Sequence, residues 1–132
     1  MSYLIDTDVV ISVLEGDGAS IHLFSQLSAA GISISAISYM EIAQGLLRQP
    51  GTAFAEFERF LRDVPVLPVD QDVALRCAAI RMHLSGQGKR VRQRALDLLI
   101  AATAIEHNLT LVTRNQADYR DVPGVMLFDR AG

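Results

Sequence analysis

Two hydrophobic rhythms take turns along the chain. Residues 3–5, Tyr-Leu-Ile, form a short apolar run that meets the polar Asp6-Thr7-Asp8, the pattern of a buried strand that ends abruptly. Residues 9–15 have helical character until Gly16-Asp17-Gly18 stops them. A second helix is expected over 19–30, with Ile21, Phe24, Leu27 and Ser28 on one face and Gly31 as its stop. Alternating Ile and Ser over 32–37 predict a strand. Ser38 can cap a helix running to about Arg48, closed by Gln49-Pro50-Gly51.

A helix over 52–63 places Phe54, Phe57, Phe60 and Leu61 on one stripe, read here as core. Residues 64–69 are apolar but carry Pro65 and Pro68, which allows an edge strand at best. Residues 70–84 are helical, with Val73, Cys77, Ile80 and Leu84 in register. A polar, basic loop over 85–93 holds the only lysine, Lys89. A strongly apolar helix over 94–107 ends at Asn108, a residue suited to a left-handed cap. Strands at 109–113 and 125–128 flank a polar connection at 114–121 and a Pro123-Gly124 turn. Strands alternating with helices, without a long linker or repeat, predict an α/β fold: a three-layer α/β/α sandwich with a central, mostly parallel sheet of about 4–5 strands. All of 1–132 is expected to form one domain.

Composition agrees with that picture. The chain has 132 residues, half of them hydrophobic and a fifth charged, enough for a core without staples. A single cysteine, Cys77, excludes an internal disulfide and a Cys-rich zinc module. Its place on an apolar stripe makes it packing. No run approaches the ~18 apolar residues of a membrane span. The N-terminus lacks a basic region, and Asp6 and Asp8 interrupt its apolar stretch, so no signal peptide, no membrane association and a cytoplasmic location are expected. His22, His83 and His107 have no ligand spacing and are not assigned a catalytic role.

Four carboxylates have unusual settings. Asp6 follows the first strand, Glu41 lies in the first turn of the helix after the second, and Asp97 is embedded in Leu96-Asp97-Leu98-Leu99-Ile100. Asp118 follows the strand at 109–113, three residues after Asn115. In a parallel α/β sheet, ligands sit beyond the carboxyl ends of the strands, where these four could converge. Two carboxylates about 4 Å apart repel by roughly 4 kcal/mol at an effective dielectric of 20. A hard divalent cation removes that cost, and oxygen ligands suit Mg²⁺ or Mn²⁺. Such a site orients and acidifies water, which points to metal-assisted cleavage of a phosphoester. Each acid taken singly also has a plain role. Asp6 or Asp8 could cap the next helix, Ser38-x-x-Glu41 fits a capping box, and Asp118 could be an ordinary surface acid. Only Asp97, in an apolar helix, resists such a role.

Taken together, Tyr3-Leu4-Ile5-Asp6-Thr7-Asp8, Tyr39-Met40-Glu41-Ile42, the run from Asp97 to Ala104, and Leu111-Val112-Thr113-Arg114-Asn115 through Asp118-Tyr119 closely resemble a PIN domain of the VapC toxin type, over essentially the whole length. That resemblance implies a Mg²⁺- or Mn²⁺-dependent endoribonuclease acting on RNA, paired with a cognate antitoxin protein and forming a homodimer. It assigns Asp6, Glu41, Asp97 and Asp118 to metal holding and water activation, and Thr7, Asp8, Thr113 and Asn115 to the polar surroundings. The family often has Asn where Asp8 stands, so Asp8 is open as a cap, a supporting acid or a further ligand. Before Asp97, an apolar or proline-containing lead-in is common, whereas residues 91–95 here are basic. Arg90, Arg92, Arg94 and Arg114 are the expected phosphate contacts, with Arg the better bidentate donor.

Two other functions fit parts of the pattern. A catalytically silent module of the same fold, binding RNA or protein, would need no complete acidic set. An aspartate-nucleophile phosphatase would use Asp6 as nucleophile and Asp8 as acid, with a lysine on a later element. Net charge taken alone, at −3, speaks against an RNA partner. Taking the four acids out of that count leaves +1, so much of the acidity is the candidate site itself.

Overall fold

The computed structural model describes residues 2–129. Five strands form one sheet in the order β3-β2-β1-β4-β5, with every pairing parallel. They are β1 (Tyr3–Ile5), β2 (Ile32–Ser35), β3 (Val66–Leu67), β4 (Thr110–Val112) and β5 (Met126–Leu127). Six helices connect them: α1 (Thr7–Leu14), α2 (Gly18–Ser28), α3 (Ala36–Leu46), α4 (Ala53–Phe60), α5 (Gln71–Gly86) and α6 (Ala95–Glu106). The expected α/β/α sandwich with a central sheet is present, and the sheet is parallel throughout.

Alternation along each strand sends side chains to two cores. Leu4 and Leu111 join Val73, Cys77, Ile80, Leu84, Leu98 and Ile100 beneath α5 and α6. Ile5 and Val112, one residue on, join Val9, Val10, Leu23, Ile34, Ile42 and Phe57 beneath α1 to α4. Covered on both faces, β1 and the centre of β4 read as apolar runs, while β2 alternates Ile with small Ser residues. The same coverage makes α6 apolar almost all round, because it packs along α5 and against the sheet. Cys77 is buried packing as expected, and Phe57 is fully buried with Phe54 edge-on against it, while Phe60 packs on Phe24.

Caps decide the element boundaries. Asp17 accepts the Ser20 N–H and opens α2, and Asp70 does the same for α5 through Val73. Gly31 turns α2 into β2 at φ +100°, and Asn108 adopts φ 54° after α6, the left-handed residue the sequence predicts. The strand expected over 32–37 stops at Ser35, whose hydroxyl accepts the Ile37 N–H and caps α3. Ser38 is therefore inside the helix and buried, and no Ser38–Glu41 capping box forms. Glu41 consequently lies in the second turn of α3 rather than the first. Pro65 and Pro68 bracket a two-residue edge strand, β3.

Strand order reverses direction between β1 and β4, so the crevice at their carboxyl ends is the sheet's switch point. Asp6 and Thr113 are the first residues beyond those two strands. Leu4→Ala, which empties the centre of the sheet, should cost about 3 kcal/mol by urea denaturation, whereas Leu75→Ala on the outer face of α5 should stay within about 0.5 kcal/mol. Equal losses would contradict the core assignment.

Candidate active site

Asp6 sits at the switch point and does two things at once. It caps α1, its Oδ1 accepting the Thr7 N–H at 2.8 Å, and it is buried at 6 % exposure. Its Oδ2 accepts the Thr113 hydroxyl at 2.7 Å and the Tyr119 hydroxyl at 3.1 Å. Burial nevertheless wins over these donors: loss of hydration lifts the carboxyl to about 6, with the neighbouring Asp8 charge adding to the rise. Cap and buried acid are thus one residue, so the capping role expected for Asp6 is met without returning its carboxyl to water.

The other three acids reach the same rim from separate elements. Asp97 is in the first turn of α6 and half-buried, with its Oδ1 at 3.4 Å from the Tyr119 hydroxyl. Burial raises its carboxyl, and the charges of Asp6, Asp118 and Glu41 push it the same way. That mutual field marks the four as one group. Glu41 Oε1 accepts the Thr7 hydroxyl at 2.7 Å, while Ser38 Oγ lies 2.9 Å from the same Thr7 oxygen. Thr7 has one proton, so it donates to the carboxylate and takes the Ser38 proton in turn. Asp118 ends a single 3₁₀ turn, Gln116–Asp118, and is exposed.

Asp8 holds the loop after β4. Its Oδ2 accepts the Arg114 N–H at 3.2 Å and the Asn115 side-chain amide at 3.0 Å. Its Oδ1 is buried with no donor, and burial raises this carboxyl too. Asn115 in turn donates its N–H to the Thr113 hydroxyl oxygen at 3.1 Å. Thr7, Asp8, Thr113 and Asn115, the expected polar surroundings, are therefore all tied to the acids or to the loop beside them.

The basic residues divide. Arg94 forks onto Asp121 at 2.7 and 2.9 Å and donates to the Asp118 carbonyl at 2.9 Å, and Lys89 joins Asp121 at 2.9 Å. The hydrogen bond from Arg94 keeps the Asp121 carboxyl well below the usual range. Arg94 thus acts in this structure as a clamp on the loop that carries Asp118, not as a free phosphate contact. Arg90 and Arg92 stand exposed on the loop before α6, and Arg114 is exposed with its Nη1 donating to Ser12 at 2.6 Å.

Sequence reasoning missed Tyr119, which is 1 % exposed and bridges Asp6 and Asp97. Burial and its acidic neighbours raise its hydroxyl, so it stays a proton donor. The signal available was an aromatic residue directly after a candidate acid in an otherwise polar loop. Ser38 and Asp121 were missed as well, since their roles come from partners 31 and 27 residues away.

The donor set fits a hard divalent cation. Asp6, Glu41, Asp97 and Asp118 offer carboxylate oxygens only, burial raises the carboxyls of Asp6 and Asp97, and the buried Oδ1 of Asp8, which has no donor, lies beside them. Among the described residues no three of these side chains already close into a metal cage.

The raised Asp6 carboxyl has a consequence for stability. A carboxyl lifted from 3.8 to about 6 binds its proton more tightly in the fold than in the unfolded chain. Its stabilising contribution is complete below 3.8 and disappears as pH rises through 6. Asp121, shifted the opposite way, stabilises above 3.8 and changes nothing between pH 5 and 7.5. With a chelator present, Asp97→Asn should therefore raise the thermal midpoint at pH 7.5 by about 2 °C, with a smaller gain at pH 5. A lower midpoint at both values would contradict the mutual repulsion.

Comparison with known proteins identifies the family and the fold. Residues 3–125 match the family model described as PIN domain. The chain is 27% identical over 131 residues to the tRNA(fMet)-specific endonuclease VapC of Salmonella typhimurium, covering 98% of both chains. It is 31% identical over 117 residues to ribonuclease VapC5 of Mycobacterium tuberculosis, covering 85% of this chain and 82% of that one. Among solved structures, DNA-bound VapBC from Salmonella typhimurium superposes with a TM-score of 0.86 at 27% identity, covering 98% of each chain. The chain belongs to the PIN domain family, with VapC proteins among its full-length relatives.

Proposed function

We propose that this protein is a divalent-metal-dependent endoribonuclease and the toxin of a toxin–antitoxin pair. The observation that carries the reading is the convergence of Asp6, Glu41, Asp97 and Asp118 on the switch point of a parallel sheet, each from a different element. Relatives named as ribonucleases, one of them tRNA-specific, support RNA as the substrate, and structures of toxin–antitoxin complexes with the same fold support a protein partner.

In this reading Asp6, Asp97 and Asp118, with Glu41, hold Mg²⁺ or Mn²⁺. When bound, the ion supplies Lewis acidity at the phosphate and lowers the pKa of water. The chain's own residues do the rest. Thr113 and Tyr119 fix Asp6 Oδ2, and Thr7 fixes Glu41, so the carboxylates are oriented before substrate arrives. A carboxylate of the quartet accepts the proton of the attacking water. The water oxygen bonds to phosphorus, the opposite P–O bond breaks, and the products are a phosphate monoester and an alcohol. Asp8 acts as a supporting acid that anchors Arg114 and Asn115 beside the site.

Asp97→Asn preserves shape while removing one charged ligand. It should lower Mn²⁺-dependent cleavage of a tRNA pool by about 100-fold or more, and chelation should silence the parental protein equally. Parental-level cutting by the variant would defeat the assignment of Asp97. Failure of the parental protein to cut RNA with either metal would favour the silent binding module instead. The phosphatase reading lacks its lysine, because Lys89 is engaged with Asp121.

A further inference from the structure

Two open clefts border the acidic rim, and they differ in charge. One, of about 510 Å³, lies among α1, α3 and α4 and is lined by Glu15, Glu41 and Glu56 over an apolar floor, with no cation in its lining. The other, of about 640 Å³, lies on the loop after β4 and is lined by Thr113, Arg114, Asn115, Gln116, Asp118 and Arg120, with Ala117 and Asp129 completing it. Both lie in the ~300–1,000 Å³ range of small-molecule sites. Only the second has arginines in its lining, two of them beside two carboxylates.

We infer that this second cleft is the RNA subsite: it takes the nucleotide flanking the scissile phosphate, with Arg114 and Arg120 on the neighbouring phosphates. The inference rests on the proposed ribonuclease activity and adds the direction in which the substrate chain leaves the acids. Three observations lead there. First, the cleft begins at Asp118 and Thr113, so a phosphate at the acids has its neighbour within the cleft. Second, Arg114 is pre-oriented, its backbone N–H on Asp8 and its Nη1 on Ser12, which lowers the entropy lost on gripping a phosphate. Arg120 is exposed on the same loop, its backbone N–H bonded to the Gln116 carbonyl. Third, Glu15 and Glu56 of the other cleft, which no cation in its lining offsets, repel a polyanion, so the alternative path is electrostatically unfavourable. Two carboxylates share the subsite. Asp118 belongs to the rim, where a divalent ion offsets its charge, and Asp129 lies at the edge of the described chain. No aromatic ring lines the cleft, so binding there depends on charge and not on stacking.

Arg94 and Lys89, engaged with Asp121, are left out of this path, and Arg120, which the basic run before Asp97 does not include, enters it. The test uses a fluorescein-labelled tRNA pool and the full chain in Mn²⁺, in two measurements. In the first, cleavage by the parental protein is recorded; if it cuts no RNA, the ribonuclease reading itself falls. In the second, binding is measured by anisotropy in the Asp97→Asn background across a salt series. Adding Arg120→Ala should weaken binding about 5-fold at 0.1 M salt and reduce the salt slope by about 1, with Arg114→Ala acting in the same sense. Arg62→Ala removes the same charge from an exposed position just before β3, the strand at the edge of the sheet away from β4 and β5, and should change neither. If the parental protein cuts RNA while Arg120→Ala binds as well as its background, or Arg62→Ala weakens binding equally, the subsite is overturned and the nuclease reading stands. Unchanged thermal midpoints of the variants keep folding out of the comparison.

Discussion

The structure depends on keeping a carboxylate buried at the end of its central strand. Asp6 has lost its water, and no cation in the described chain is paired with it; three hydrogen bonds, from Thr7, Thr113 and Tyr119, hold it there. An unpaired buried charge is among the least favourable features a fold can contain. Its raised carboxyl records the incomplete compensation. Much else is arranged around that fact. The switch point supplies the crevice, α1 starts on Asp6 as its cap, and β4 delivers Thr113 across from it. The loop of residues 116–121, clamped by Arg94, brings Tyr119 over both Asp6 and Asp97.

At this rim several local rules are broken together. Elsewhere the chain is consistent across levels: apolar runs where strands are covered twice, side-chain caps at α1, α2, α3 and α5, and a left-handed Asn where a helix must turn into a strand. Concentrating like charges at one rim trades stability for a function, which is the place where such exceptions are expected. Under the proposed ribonuclease reading, that exception has a chemical purpose.

Much of this was legible in the sequence because it is written in periodicity. The alternation of strands and helices follows from residue spacing, and Asp97 stands out because its neighbours are apolar. What was not legible depends on distance in space. Ser35 and Ser38 are equally good caps on paper; the end of β2 decides between them, and the capping-box reading of Glu41 falls with that choice. Tyr119 looks like an ordinary aromatic until the loop folds back 113 residues to meet Asp6. The basic run before Asp97 gives no hint that Arg94 will find Asp121 rather than solvent. Net charge was the least informative quantity, since it averages an acidic rim, a cleft that carries Arg114 and Arg120, and a second cleft lined by glutamates.

The central claim is that the acidic rim is a cation site. Crystals grown with Mn²⁺ test it most directly, through the ion's anomalous scattering. The account predicts a peak at the carboxyl end of β1 and β4, about 2.0–2.3 Å from oxygens of Asp6 and Asp97, with Asp118 drawn toward it. A well-occupied peak elsewhere on the protein, with the rim carboxylates left unliganded, would contradict it.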